Sequence, residues 1–214
     1  MFDLKKMEEE QSRIAKKVIL KDSFDSSNFI GGVDSTYHEK LAISAIVIWD
    51  IKKSEIIEKV YAVQKAKVPY ISGFLAFREG PSISEAFSKL NQKPDLMMFD
   101  GNGILHPRRC GLACHMGVLL DVPSIGVAKS MMFGQEKDGT VYEGKEALAK
   151  SYVSREYAKP MYISPGHRIS LKTSFELVKK TIRPPHKLPE PLHQAHRYVS
   201  SVRELVVKGD IKQD

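Results

Sequence analysis

The chain has 214 residues, 42% hydrophobic and 28% charged, which is enough apolar material for one sizeable core and excludes a disordered or fibrous protein. A formal charge of +7 and an isoelectric point near 9.2 favour a polyanionic partner without identifying one. The two cysteines, Cys110 and Cys114, are too few for a disulfide framework and lack zinc-ribbon spacing, so buried free thiols and a reducing compartment are expected.

The charged start MFDLKKMEEEQ has no signal-peptide character. Leu4, Met7, Ile14 and Val18 recur at helical spacing, so residues 3–20 read as an amphipathic helix. FIGGVDS (29–35), LAISAIVIWD (41–50) and EIIEKVYAV (55–63) read as three strands, and their short connections favour an antiparallel meander. Gly80-Pro81 marks a turn before a helix over 83–93, capped by Ser82 or Ser84. PDLMMFDG (94–101) and VPSIGVAKS (122–130) are apolar on both faces, as central strands are, and a helix over 108–121 joins them. GQEKDGTVYEGKEAL holds a surface turn, and YISPGHRISL (162–171) reads as strand, turn, strand. TSFELVKKTI (173–182), capped by Thr173 or Ser174, and 192–208 read as helices on either side of a proline-rich loop, 183–191. This order predicts a mixed α/β sheet, antiparallel in one half and parallel in the other. No apolar run approaches the roughly 18 residues needed to cross a bilayer, so no membrane partner is expected and the cytoplasm is the expected location.

Three carboxylates stand out by position. Asp34 follows FIGGV, Asp100 ends LMMFD, and Glu79 lies in FREGP. Adjacent parallel strands end at the same sheet edge, where such sheets bind ligands, so neighbouring first and fourth strands would set Asp34 beside Asp100. Clustered carboxylates stay ionised together only when a cation neutralises them, and oxygen-only ligands favour Mg²⁺ or Mn²⁺. Taken alone, each acid reads equally well as a strand-end turn residue. Gly101 and Gly103 allow close backbone approach, although a plain turn needs them as much. Lys129 ends the next buried strand at the same edge, and His106, Arg108 and Arg109 follow Asp100. Tyr70, after Pro69, is placed to stack on a base or to pack on the core, while His167 and His196 are further candidates for proton transfer.

GGVDSTY, PYISGFLAFREGP, PDLMMFDGNGILHPRRCGLACHMGVLLDVPSIGVAKS and SPGHRISL closely resemble endonuclease V, a family that acts on nucleic acid containing deaminated adenine (inosine). The likeness runs from about residue 29 to about residue 200. It implies a ribonuclease H-like core over about 29–130 with C-terminal additions over 131–214, in one domain. It implies hydrolysis of the second phosphodiester bond 3′ to inosine, dependent on Mg²⁺ with Mn²⁺ substituting, leaving 3′-hydroxyl and 5′-phosphate ends as a step of DNA repair. The family's metal-binding acids map onto Asp34, Glu79 and Asp100. Its basic groups map onto Lys129 and His196, and His106 matches the histidine of DG-x-G-x-x-H. Pro69, Tyr70, Ile71 and Ser72 map onto a strand-separating wedge with Tyr70 at its tip. Gly73, Leu75, Gly101 and Leu112 map onto the pocket for the rotated base. Asn102 and Ser72 depart from the His and Pro common in bacterial members. The implied partner is inosine-containing DNA, with RNA left open, acted on by a monomer. A different ribonuclease H-like nuclease, or a non-catalytic nucleic-acid binder, would lack the wedge or have no need of three acids.

Overall fold

The computed structural model describes residues 3–211. Among them nine strands form one sheet: β1 (Phe29–His38), β2 (Leu41–Asp50), β3 (Glu55–Lys65), β4 (Leu96–Asp100), β5 (Ser124–Ala128), β6 (Gln135–Lys137), β7 (Thr140–Glu143), β8 (Glu146–Tyr152) and β9 (Met161–His167). Their order is β3-β2-β1-β4-β5-β9-β8-β7-β6. The first three strands form the antiparallel meander, while β4 and β5 run parallel to β1. This is the mixed antiparallel and parallel arrangement that the strand pattern anticipates.

Five helices cover the sheet: α1 (Leu4–Ala15), α2 (Leu75–Ser88), α3 (Leu112–Leu120), α4 (Leu171–Thr181) and α5 (Glu190–Lys208). On one face, Val33, Met97 and Phe99 pack with Ile83 of α2 and Met116 of α3. On the other, Ile30, Met98 and Ile125 pack with Val178 of α4 and Leu192 of α5. Each such fully buried side chain contributes about 1.5–3 kcal/mol, and the two layers hold the central strands rigid. Two glycines show how closely the layers approach. A Cβ on Gly32 would lie 2.0 Å from the Pro191 carbonyl oxygen, so α5 rests directly on the β1 backbone. A Cβ on Gly126 would lie 2.2 Å from the Gly103 nitrogen, so the loop after Asp100 rests on β5. Among the described residues no helix is long and apolar enough to cross a membrane.

Several elements differ from expectation. The second helix begins at Leu75 and runs through Pro81, ending at Ser88. Pro81 removes one backbone donor, but Ala76, Glu79, Gly80, Ile83 and Ala86 form a buried face on both sides of it, and the Ser82 hydroxyl donates to the Glu79 carbonyl at 2.9 Å. Tertiary burial therefore outweighs the proline. The third helix is shorter than 108–121 because Gly111 is wedged against the Asn102 carbonyl, where a Cβ would sit at 2.3 Å. Cys110 thus precedes the helix and Cys114 lies within it, and both are buried free thiols. Residues 135–152 form three strands around turns at Asp138-Gly139 and Gly144, all at positive φ. Residues 161–167 form one strand, and the cap of α4 is Ser170, whose hydroxyl accepts from the Thr173 nitrogen at 3.2 Å.

Candidate active site

Side chains alternate along a strand, so positions two apart share a face. Ile30, Gly32 and Asp34 form one such series, Leu96, Met98 and Asp100 a second, and Ile125, Val127 and Lys129 a third. Val33 pairs with Phe99 and Asp100 with Val127 across the parallel ladders. Asp34, Asp100 and Lys129 are therefore brought to the same edge of the sheet and to the same side of it, as the strand order anticipates.

Each of these groups has a definite partner. The Asp100 carboxylate accepts from the Lys129 ammonium. Asp34 Oδ2 lies 2.7 Å from Nδ1 of His196, carried in by α5. Glu79 arrives from the opposite side of the sheet, on the first half of α2, and its Oε1 accepts from the Tyr37 hydroxyl at 2.6 Å. The Arg78 guanidinium lies over the Tyr37 ring at 4.1 Å. Among the described residues no three His, Cys, Asp or Glu side chains form a ready-made ligand set for a metal ion. Three like charges that repel one another have instead been turned to three separate donors.

The electrostatics record that repulsion. Burial, reinforced by the Asp34 and Asp100 charges, pushes Glu79 up to about 7 against the pull of the Tyr37 hydrogen bond. Burial and Asp34 also raise Asp100, opposed by Lys129. For Lys129, burial alone would lower the pKa, but Asp100 and Asp34 outweigh it and the ammonium is held more firmly charged.

Beside this edge lies a cavity of about 50 Å³, lined by Gly73, Leu75, Gly101, His106, Leu112 and Gln11 among others. His106 is buried, which pulls it down to about 4, so its ring is neutral near pH 7. Its partners fix the tautomer: Nε2 donates to the Gly73 carbonyl at 3.0 Å and Nδ1 accepts from the Arg108 nitrogen at 3.2 Å. The segment before Gly73 projects from the surface. Pro69 and Ser72 are exposed, Ile71 is half-buried, and Tyr70 stands 70% exposed at the tip.

Other candidates are not brought here. Arg109 is tied to Glu143 and Glu146, and Arg108 to Gln11 and Glu8, so both arginines hold loops together. His167 pairs with Ser124 at the beginning of β5, the opposite sheet edge, where its Nδ1 accepts from the Ile19 nitrogen at 3.3 Å. Sequence reasoning missed Tyr37 and Gln11. Tyr37 lies three residues past Asp34 on the same strand, a usable signal, whereas Gln11 sits in a helix of charged residues with nothing to single it out.

A family model described as Endonuclease V matches residues 12–197. A protein described as endonuclease V from Dictyoglomus thermophilum is 39% identical over 209 residues, 94% of this chain and 91% of its own length. The crystal structure of the Bacillus subtilis endonuclease V superposes with a TM-score of 0.89 at 31% identity, covering 98% of this chain and 95% of that one. Endonuclease V of Ciona intestinalis, solved with a 24mer DNA containing an inosine followed by a ribo-adenosine, superposes with a TM-score of 0.86 at 28% identity, covering 95% of this chain and 98% of that one.

Proposed function

The chain belongs to the endonuclease V family, and on that premise we propose that it is a divalent-metal-dependent nuclease that hydrolyses the second phosphodiester bond 3′ to an inosine. The observation that carries this reading is the meeting of Asp34, Asp100 and Glu79 at one sheet edge, beside the cavity lined by Gly73, Leu75, Gly101 and Leu112. The residues fit a hard cation. Their donors are all carboxylate oxygens, and burial first, with the neighbouring carboxylates second, raises Glu79 and Asp100, a cost to ionisation that Mg²⁺ or Mn²⁺ would relieve. When bound, such an ion would supply charge neutralisation and a more acidic water.

The chain's own groups would do the rest. Water adds its oxygen to phosphorus, the bond to the 3′ oxygen breaks, and that oxygen leaves with a proton, giving 3′-hydroxyl and 5′-phosphate ends. Lys129, held cationic by Asp100, supplies positive charge to the oxygens that become more anionic. His196 orients Asp34. His106, neutral and hydrogen-bonded on both nitrogens, positions the cavity wall and does not transfer protons. Tyr70 and its neighbours Pro69, Ile71 and Ser72 separate the strands, and the base turns into the cavity. The nine strands share one sheet, and we take the whole chain as a single catalytic unit acting in the repair of deaminated adenine, with DNA as the expected strand.

The test is cleavage of matched single- and double-stranded DNA and RNA oligonucleotides, with and without one inosine, in Mg²⁺, Mn²⁺ or EDTA. A metal-dependent nick one nucleotide beyond the inosine's 3′ neighbour is expected. Cutting indifferent to inosine, or binding without cutting in either metal, would sink the reading.

A further inference from the structure

The sheet edge that holds Asp100 and Lys129 carries a second aromatic tip. Ala128 pairs with Tyr162 across β5 and β9, and Tyr152 with Met161 across β8 and β9, so the loop over 153–160 leaves the sheet at that same edge. β9 and β8 lie two and three strands from β4, roughly 10–14 Å away, or about three to four nucleotides at about 3.4 Å each. Tyr157 stands at the tip, 96% exposed, with a φ of 59°. A bulky residue in left-handed backbone costs free energy, and an exposed ring recovers none of it from the core. The loop is nonetheless held. The Ser154 hydroxyl donates to the Lys187 carbonyl at 2.7 Å, Arg155 Nη1 to the Pro185 carbonyl at 3.3 Å, and the Ala158 nitrogen to the Arg155 carbonyl at 3.2 Å. This loop and the proline-rich loop to which it is tied carry Arg155, Lys159, Arg183 and Lys187 against one acid, Glu156. None of those four cations pairs with a carboxylate among the described residues.

We propose that this loop is a second nucleic-acid contact, holding the strand 3′ to the cut: a base stacks on Tyr157 while Arg155, Lys159 and Lys187 meet the phosphates. This rests on the reading of the site as an inosine-directed nuclease, which sets the polarity of the strand. The base cavity lies at the starts of α2 and α3, and those helices pack on one face of the sheet. The proline-rich loop joins α4 to α5, which pack on the other face. A strand with its inosine in the cavity and its cut 3′ to that base passes over Asp34 and Asp100 and leaves on the proline-loop side. Aromatic faces and unpaired cations are what hold a single strand irrespective of its sequence. The ties at Ser154 and Arg155 order the loop before the strand arrives, so little freedom is lost on binding.

Two variants test this. Tyr157→Gly removes the ring and suits the left-handed backbone, so the melting temperature should hold or rise. Lys159→Gln combined with Lys187→Gln removes two charges and leaves the Lys187 carbonyl in place for Ser154. The probes are inosine-containing single-stranded DNA with a constant 5′ flank and 3′ flanks of about two, four, six and twelve nucleotides, a mirror set with the 5′ flank varied, and the same strands with adenosine. Affinity is read in EDTA. Wild-type protein should bind about tenfold more tightly once the 3′ flank exceeds about four nucleotides, and Tyr157→Gly should lose that gain while matching wild type on the shortest flank. The double lysine variant should lower the slope of log affinity against log salt by about 1.4 on the long 3′ flank only. An equal loss at every flank length, a gain that follows the 5′ flank, or wild-type behaviour in Tyr157→Gly would overturn the proposal. Wild-type protein indifferent to inosine overturns the nuclease reading itself, whereas inosine preference with affinity independent of the 3′ flank overturns only the role of the loop.

Discussion

His196 Nδ1 stands 2.7 Å from Asp34 Oδ2, although the two residues are 162 positions apart in the chain. The contact exists because α5 rests on Gly32, two residues before Asp34 on the same strand. The His196 side chain is 55% exposed, so it adds little to the core. His196→Ala should slow cleavage by roughly ten- to a hundredfold, the usual effect of removing a group that orients a ligating side chain, with the melting temperature nearly unchanged. His196→Asn, which retains a donor near the Nδ1 position, should recover part of the rate. Asp34→Asn should cost far more while sparing affinity for inosine strands in EDTA. A wild-type rate in His196→Ala would remove this contact from the mechanism.

In the proposed metal site, Glu79 should carry the pH dependence of metal binding. Its folded-state value of about 7 lies above the ordinary 4.5, so between those values the folded chain binds more protons than the unfolded one. Its contribution therefore makes the metal-free protein less stable as pH rises through that window. A cation takes the proton's place, and its apparent affinity should rise between pH 6 and pH 8. At a Mg²⁺ concentration of about 100 times its dissociation constant, stabilisation is near 2.7 kcal/mol, or about 5–10 °C in melting temperature for a chain of this size. Differential scanning calorimetry should show a larger shift at pH 8 than at pH 6, abolished by EDTA. Equal shifts at both pH values would exclude Glu79 from the ligand set.

What was legible in the sequence follows from where burial is simple. β2, β4 and β5 are apolar on both faces and could be read directly, and parallel neighbours necessarily bring Asp34 and Asp100 to one edge. Pro81 misled because a local rule placed a turn where a buried face running from Ala76 to Ala86 keeps the helix intact, with Glu79 inside it. β6 is three exposed polar residues, and such a strand exists only because β7 pairs with it. The Gln11 contact with Gly73 spans 62 positions and joins an amide to a backbone carbonyl, so neither residue type nor spacing announces it.

Tyr70 separates two ways of using an aromatic ring. At 70% exposure it supports no core, and Tyr70→Ala should change stability by no more than about 0.5 kcal/mol. As a wedge it matters only where strands must be parted and a base unstacked, which costs a few kcal/mol. Cleavage of an inosine in duplex should fall about tenfold or more, and cleavage in a single strand less than about twofold. An equal loss on both substrates would mean that Tyr70 stacks on a base in either form and parts nothing.

His115 should govern acid stability independently of the active site. The ring is buried in α3, edge-on to Phe77 at a centroid distance of 5.0 Å, and its Nδ1 has no hydrogen-bond partner among the described residues. Burial holds its pKa down to about 4 from the ordinary 6.5. Between those values the unfolded chain binds the proton and the folded chain does not, so stability is full above about pH 6.5 and declines as pH falls towards 4. At 1.36 kcal/mol per unit, the loss can reach about 3 kcal/mol. His106, lowered in the same direction by its own burial, adds to the decline. His115→Phe keeps the edge contact with Phe77, removes the orphaned nitrogen and abolishes this proton's share. Urea unfolding at pH 8 and pH 5 should therefore show a smaller acid penalty in His115→Phe than in wild type, with His106 accounting for much of what remains. An unchanged acid penalty would mean that the His115 ring takes up its proton without unfolding the chain, through a local opening of α3 that gives the imidazolium access to water.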